Sequence, residues 1–154
     1  MRSTRSYLGI LVALSFIVPA AATSTAGQDP CAALKKEDVA AVLGGTFNDP
    51  KAKGPMKDGT GNTVSSCEYT GSGSLRVTMN VWQLPASQLA AFKSFCTDHE
   101  GLAGLGDLAC WYDKKHEEIH VFKGSGFISI ELRGKSDPTD AIKALAKKAV
   151  DQMK

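Results

Sequence analysis

The stretch GLGDLACWYDKKHEEIHVFKGSGFISIEL, residues 104–132, decides the fold of this chain. Apolar residues alternate with other residues on both sides of its Gly-Ser-Gly turn, which predicts a hairpin of strands over 118–122 and 127–132. Residues 108–112 predict a further strand before them. The same stretch contains HEEIH at 116–120, the only pattern in the chain that resembles a catalytic motif. The conformation of these five residues therefore separates a hydrolase from a protein without catalytic residues.

The HEEIH run matches the zinc-protease pattern H-E-x-x-H. That pattern works when both histidines lie on one face of a helix, with the glutamate turned toward the metal-bound water. The β-branched and aromatic residues that follow favour a strand instead, in which His116 and His120 would be about 13 Å apart. We therefore predict no metal, no cofactor and no catalytic residue. A metal-dependent hydrolase that uses His116, Glu117 and His120 is kept as the alternative function.

Periodicity and turn residues predict the remaining elements. Helices are expected over 35–43 and 85–96 and from Asp137 onward, and a second hairpin over 64–70 and 75–82. The resulting order, α-β-β-α-β-β-β-α, places the strands in local hairpins. This order predicts an α+β domain, a two-layer sandwich of a mainly antiparallel sheet with helices on one face.

Two segments predict irregular structure. Residues 46–62 have no hydrophobic period and are rich in Pro, Lys and Gly, which predicts a long surface loop. The GLAGLG run at 101–106 lacks the glycine spacing of a dinucleotide-binding fingerprint, so we interpret it as turn geometry.

The outward face of the predicted sheet carries the candidate binding residues. Large aromatic and polar side chains share this face and form a candidate interaction surface, namely Arg76, Asn80, Trp82, His120 and Phe122. The alternative is that the 46–62 loop folds over them. In that case these aromatic side chains would belong to the core.

The four cysteines are Cys31, Cys67, Cys96 and Cys110, and none lies in a C-x-x-C motif. An even number of cysteines in an exported chain predicts two disulfides, with free buried thiols as the alternative. Four cysteines allow three connectivities. We predict the pairs Cys31–Cys67 and Cys96–Cys110, each of which joins a helix end to a strand.

The N-terminus has the features of a secretory signal peptide. Arg2 and Arg5 precede the apolar run 7–18, and small residues that fit cleavage after residue 22 or 26 follow Pro19. The alternative, an uncleaved anchor, requires roughly 20 apolar residues, more than this run contains. We therefore predict a signal peptide over 1–26 and a single domain over 27–154. The expected location is secreted, periplasmic or in the cell envelope.

The charge balance excludes some classes of partner. The chain has 18 Lys and Arg and 16 Asp and Glu, and two of the arginines lie in the predicted signal peptide. The mature part is thus neutral, which gives no electrostatic reason to expect nucleic acid or an acidic membrane as a partner. The remaining expected partners are an envelope protein or a small ligand, with no membrane span after cleavage.

Several segments together resemble a known group of proteins. They are CAALKKEDVAAVLGG at 31–45, SSCEYTG at 65–71, GLGDLACW at 104–111, VFKGSGFISIEL at 121–132 and the Ala-rich C-terminal helix. This set resembles small exported bacterial cell-envelope domains of unknown function, many of them lipoproteins. Such domains are similar in plan to the extracellular sensor domains of bacterial receptor kinases and to the PsbP-like fold. The chain departs from the common form because it lacks a lipid-attachment cysteine.

The resemblance implies a fold and a compartment but carries over no catalytic residue. Together with the neutral charge, it predicts an exported, non-catalytic binding or interaction domain. A purely structural envelope component is a further alternative.

Overall fold

A six-stranded antiparallel sheet organises the protein in the computed structural model, which describes residues 28–153. The strands are β1 (Lys51–Lys57), β2 (Thr63–Thr70), β3 (Arg76–Gln83), β4 (Leu108–Trp111), β5 (Glu118–Lys123) and β6 (Gly126–Arg133), in the spatial order β1-β2-β3-β6-β5-β4. The helices are α1 (Pro30–Ala33), α2 (Lys36–Leu43), α3 (Ala86–Thr97) and α4 (Thr139–Gln152). The predicted signal peptide, residues 1–26, lies outside the described residues.

The main core lies on one side of the sheet, here named the inner face. Helices α1, α2 and α4 cover this face. Apolar residues of α4 recur at helical spacing and are buried there, because this spacing places them on one stripe of the helix. The buried set includes Val77, Met79, Ile119, Ile128, Ile130, Ile142 and Leu145. Across residues 28–153, every helix is too short or too polar to cross a bilayer.

Helix α3 packs against the other side of the sheet, here named the outer face. Its residues join a second cluster with Trp82, Phe122 and Phe127. The predicted α+β class and antiparallel sheet are confirmed, but this helix is not on the face predicted for it. The physical reason is that β5 and β6 carry Phe122 and Phe127 on the outer face, in addition to the aliphatic side chains on the inner face. An uncovered sheet face with two phenylalanines would leave a large apolar area in water.

Strand β1 corrects the prediction of a loop over the whole of 46–62. Residues Lys51–Lys57 pair with β2 at the edge of the sheet, with an irregularity between Lys53 and Met56. All seven residues are exposed. An edge strand that buries no side chain needs no apolar period, so the periodicity contained no signal for it. Lysine, proline and bulges are typical of edge strands, where they hinder pairing with another chain.

Both predicted disulfides are confirmed. Cys31–Cys67 joins α1 to β2, and Cys96–Cys110 joins the last turn of α3 to β4. The described residues contain no free cysteine. Disulfides persist in oxidising compartments, which agrees with an extracytoplasmic location.

Candidate functional site: an aromatic pocket between α3 and β5

Helix α3 covers a layer of rings on the outer face. Phe92 and Phe95 lie three residues apart, on the side of the helix that faces the sheet. The helix follows Pro85, and its last turn contains the disulfide-bonded Cys96, its only fully buried residue. We name the rings at this interface the aromatic cluster: Trp82, Phe92, Phe95, Tyr112, His120, Phe122 and Phe127.

Phe127 is at the centre of this cluster. Its ring stacks on Phe122 with centroids 4.7 Å apart and an interplanar angle of 11°. On its other sides it contacts Trp82 at 6.0 Å and Phe92 at 5.1 Å. These separations fall in the range in which aromatic pairs attract one another beyond simple burial. The contacts hold α3 on the sheet and form the base of a cavity beside them.

A cavity of about 310 Å³ opens between α3 and β5. We name it the aromatic pocket. Its lining consists of Ala91, Phe92, Phe95, Tyr112 and His120. Tyr112 is 49% exposed and His120 is 4% exposed, so Tyr112 lies at the mouth and His120 at the floor. The cavity opens widely to solvent, and its lining is apolar apart from His120 and the Tyr112 hydroxyl, a composition typical of small-molecule sites.

His120 supplies the polar atoms of the floor. Its Nε2 lies 3.2 Å from Glu118 Oε1. We assign the proton to Nε2 because the ionised carboxylate can only accept. The second nitrogen, Nδ1, is buried and has no hydrogen-bond partner among residues 28–153. A buried acceptor without a partner costs about 1–3 kcal/mol, which a bound donor could recover.

A second unpaired polar atom lies in the same cluster. The indole Nε1 of Trp82 is buried without a partner within the described part of the chain. Within residues 28–153, only three buried polar side-chain atoms lack a hydrogen-bond partner. The third, Asn62 Oδ1, belongs to the β1–β2 turn. Unsatisfied buried polar atoms are rare in folded proteins, so each of the two in the aromatic cluster calls for an explanation such as a bound partner.

The structure brings together three of the five residues predicted for binding. His120 lines the pocket, Trp82 is half-buried in the cluster, and Phe122 is fully buried beneath it. Asn80 lies on the neighbouring open part of the outer face, where its Nδ2 donates to Ser129 Oγ at 3.0 Å. Arg76 is exposed at the far end of β3, opposite Arg133. It lies outside the pocket.

Sequence reasoning did not identify three lining residues: Ala91, Phe95 and Tyr112. Helical spacing over 85–96 puts Phe92 on an apolar stripe, but it does not tell which face of the sheet this stripe covers. The predicted Cys96–Cys110 bond was the available signal, since it ties α3 to the side of β4 on which Cys110 lies. Cys110 pairs with His120 in the observed register, which puts both on the outer face.

The two histidines of HEEIH are not brought together. His116 precedes β5 with a φ of 58°, and its ring stacks on Trp111 at 4.3 Å. Trp111 belongs to the inner core, whereas His120 faces α3 on the outer side. Residues Glu118–Lys123 form the strand that the flanking residues predicted. Over residues 28–153, no group of three or more His, Cys, Asp or Glu side chains is placed to hold a metal ion.

Comparison of the chain with protein-family models, with curated proteins and with solved structures finds no match. The resemblance to exported envelope domains thus stays a prediction.

Proposed function

We propose that this protein is an exported, non-catalytic binding domain whose ligand site is the aromatic pocket between α3 and β5. One observation carries the proposal: the pocket is lined by three aromatic rings and by a buried histidine with an unpaired nitrogen. This combination provides both an apolar surface and one directional contact, which are the two components of small-molecule recognition.

The lining favours binding over catalysis. It contains no Ser, Thr, Cys, Lys or Arg side chain that could act as a nucleophile or stabilise an anion. Its one titratable group with a partner, His120, is hydrogen-bonded to Glu118 through Nε2. Because His116 lies across the sheet, it cannot assist His120 in a shared reaction.

The proposed compartment is the secreted, periplasmic or cell-envelope space. Two disulfides support it, since they are rare in reducing compartments. The predicted signal peptide and the resemblance to exported envelope domains are consistent with it. A small ligand is favoured over a protein partner because the volume of the cavity, about 310 Å³, lies within the range of small-molecule pockets.

The test uses the neutral apolar dye N-phenyl-1-naphthylamine, whose fluorescence rises in an apolar environment. Ala91 lines the pocket, and Ala90 is an exposed neighbour on α3 that does not. Ala91→Trp should fill the cavity and abolish the fluorescence increase. The matched control Ala90→Trp should retain it. Absence of dye binding to the wild type, or equal binding to both variants, would refute the proposed site.

A further inference from the structure

We infer that the ligand of the aromatic pocket is a small uncharged aromatic molecule with one hydrogen-bond donor, an O–H or N–H, directed at Nδ1 of His120. This inference rests on the proposed function and specifies the ligand class of the same site. Three properties of the pocket lead to it: ring geometry, hydrogen-bonding capacity and charge.

The ring geometry favours a flat ligand. Tyr112 stacks on His120 with centroids 4.7 Å apart and an interplanar angle of 28°. Phe95 lies 5.6 Å from Tyr112 and 6.0 Å from His120 and is tilted against both. Because Tyr112 is half-exposed, its ring can turn toward solvent at little cost in buried area. The space that this movement opens lies beside the imidazole, and a planar ligand must enter it edge-on, because the lone pair of Nδ1 lies in the plane of the imidazole ring.

The hydrogen-bonding capacity of His120 requires a donor. With the proton on Nε2 and shared with Glu118, Nδ1 is left as an acceptor. It is the only polar side-chain atom of the lining that is buried without a partner in the described structure. A ligand that carries an ether or ketone oxygen in place of the donor would leave Nδ1 unpaired, and the pocket would discriminate against it.

The charges around the pocket favour an uncharged ligand. The lining contains no Lys or Arg, and the nearby carboxylate of Glu118 would repel an anion. A cation would have to lose its hydration to enter, and the nearest carboxylate oxygen, Glu118 Oε1, already accepts from His120 Nε2. Burying a charge without a partner is costly, so a neutral donor such as a phenol or an indole fits the site best.

The experiment compares p-cresol with 4-methylanisole, which has the same ring and oxygen but no donor. Charged comparators are 4-methylbenzoate and 4-methylbenzylamine. Binding to the wild-type protein is followed by NMR through the ¹⁵N resonances of the histidine rings. The His120 signals are assigned by difference from His120→Phe. We expect p-cresol to bind about tenfold more tightly than 4-methylanisole, the effect of one hydrogen bond, and to shift the Nδ1 resonance of His120. In His120→Phe the two affinities should become equal.

Equal affinities in the wild type, tighter binding of a charged comparator, or an unchanged His120 Nδ1 resonance would each overturn this inference. If Ala91→Trp still abolishes binding of the dye in these cases while Ala90→Trp retains it, the proposed binding function stands and only the ligand class is wrong. If neither the dye nor p-cresol binds, both proposals fail.

Discussion

The imidazole rings of His116 and His120 lie on opposite faces of the sheet, the first against Trp111 and the second against Tyr112. A zinc ion must lie roughly 2.1 Å from each ligand nitrogen, which this placement does not permit. We therefore expect His116→Ala and His120→Ala to leave the zinc content of the purified protein unchanged. Elemental analysis by mass spectrometry measures it. Stoichiometric zinc in the wild type that is lost in either variant would contradict the placement.

Trp82 is half-buried between Phe92 and Phe127 and has an unpaired indole N–H. Truncating a fully buried Trp costs about 3–5 kcal/mol, so we expect Trp82→Ala to lose about 2–3 kcal/mol of unfolding free energy. Trp82→Phe should stay within about 1 kcal/mol of the wild type, because it keeps the ring contact and removes the unsatisfied donor. Urea titration followed by circular dichroism measures both. A wild-type midpoint for Trp82→Ala would show instead that Trp82 contributes no buried contact.

The Cys96–Cys110 disulfide positions α3 over the aromatic pocket. The double variant Cys96→Ala, Cys110→Ala should therefore weaken dye binding, as well as lower stability by about 3 kcal/mol. The matched control, Cys31→Ala with Cys67→Ala, removes a bond of greater sequence separation, 36 against 14. It should cost at least as much stability yet leave dye affinity unchanged. Equal losses of affinity at a temperature where both variants are folded would argue against this role of the disulfide.

The sequence predicts the elements of this fold better than their placement. The β5–β6 hairpin and α4 follow from strong local patterns, and their observed ranges match those patterns. The predicted disulfide pairs are also the observed ones. Strand β1 could not be predicted in this way, because only its backbone bonds to β2 determine it.

The pocket could be predicted only in part. Its floor, His120, and its neighbour Trp82 were identified as outward-facing residues. Its roof depends on which face α3 covers, and that depends on the register between β4 and β5, a long-range property. The sequence nevertheless contains an indication. Phe122, on the predicted outward face, and Phe127, the first residue of the next predicted strand, are too apolar to remain in contact with water.

Gly104 and Gly106 in the GLAGLG run provide a matched pair of substitutions. Both have positive φ, 78° and 61°, which confirms the prediction of turn geometry there. A Cβ at Gly104 would meet no atom within 4 Å, whereas one at Gly106 would overlap the carbonyl oxygen of Phe122. Gly104→Ala should thus cost about 1–2 kcal/mol, the penalty of a left-handed residue. Gly106→Ala should cost more than about 3 kcal/mol, because β5 must shift as well. Equal urea midpoints for the Gly104→Ala and Gly106→Ala variants would exclude the close approach of Gly106 to the carbonyl oxygen of Phe122.

Tyr69 is fully buried in β2, and its hydroxyl donates to the carbonyl oxygen of Leu34. Burial, together with the charges of Asp29 and Asp38, raises the pKa of this phenol above its ordinary value of 10.0. In the unfolded chain the phenol ionises near pH 10, whereas in the folded protein it stays neutral. The neutral phenol thus contributes stability that is present below pH 10 and lost as the pH rises further.

Tyr69→Phe should therefore have two effects. At pH 7 it should lose about 1 kcal/mol of unfolding free energy through the missing hydrogen bond. Between about pH 9 and pH 11 it should lose less stability than the wild type, because the variant has no phenol at this position to ionise on unfolding. Urea midpoints for both proteins across this range measure the difference, which should narrow as the pH rises. A constant difference would mean that the phenol of Tyr69 ionises equally well in the folded and unfolded states.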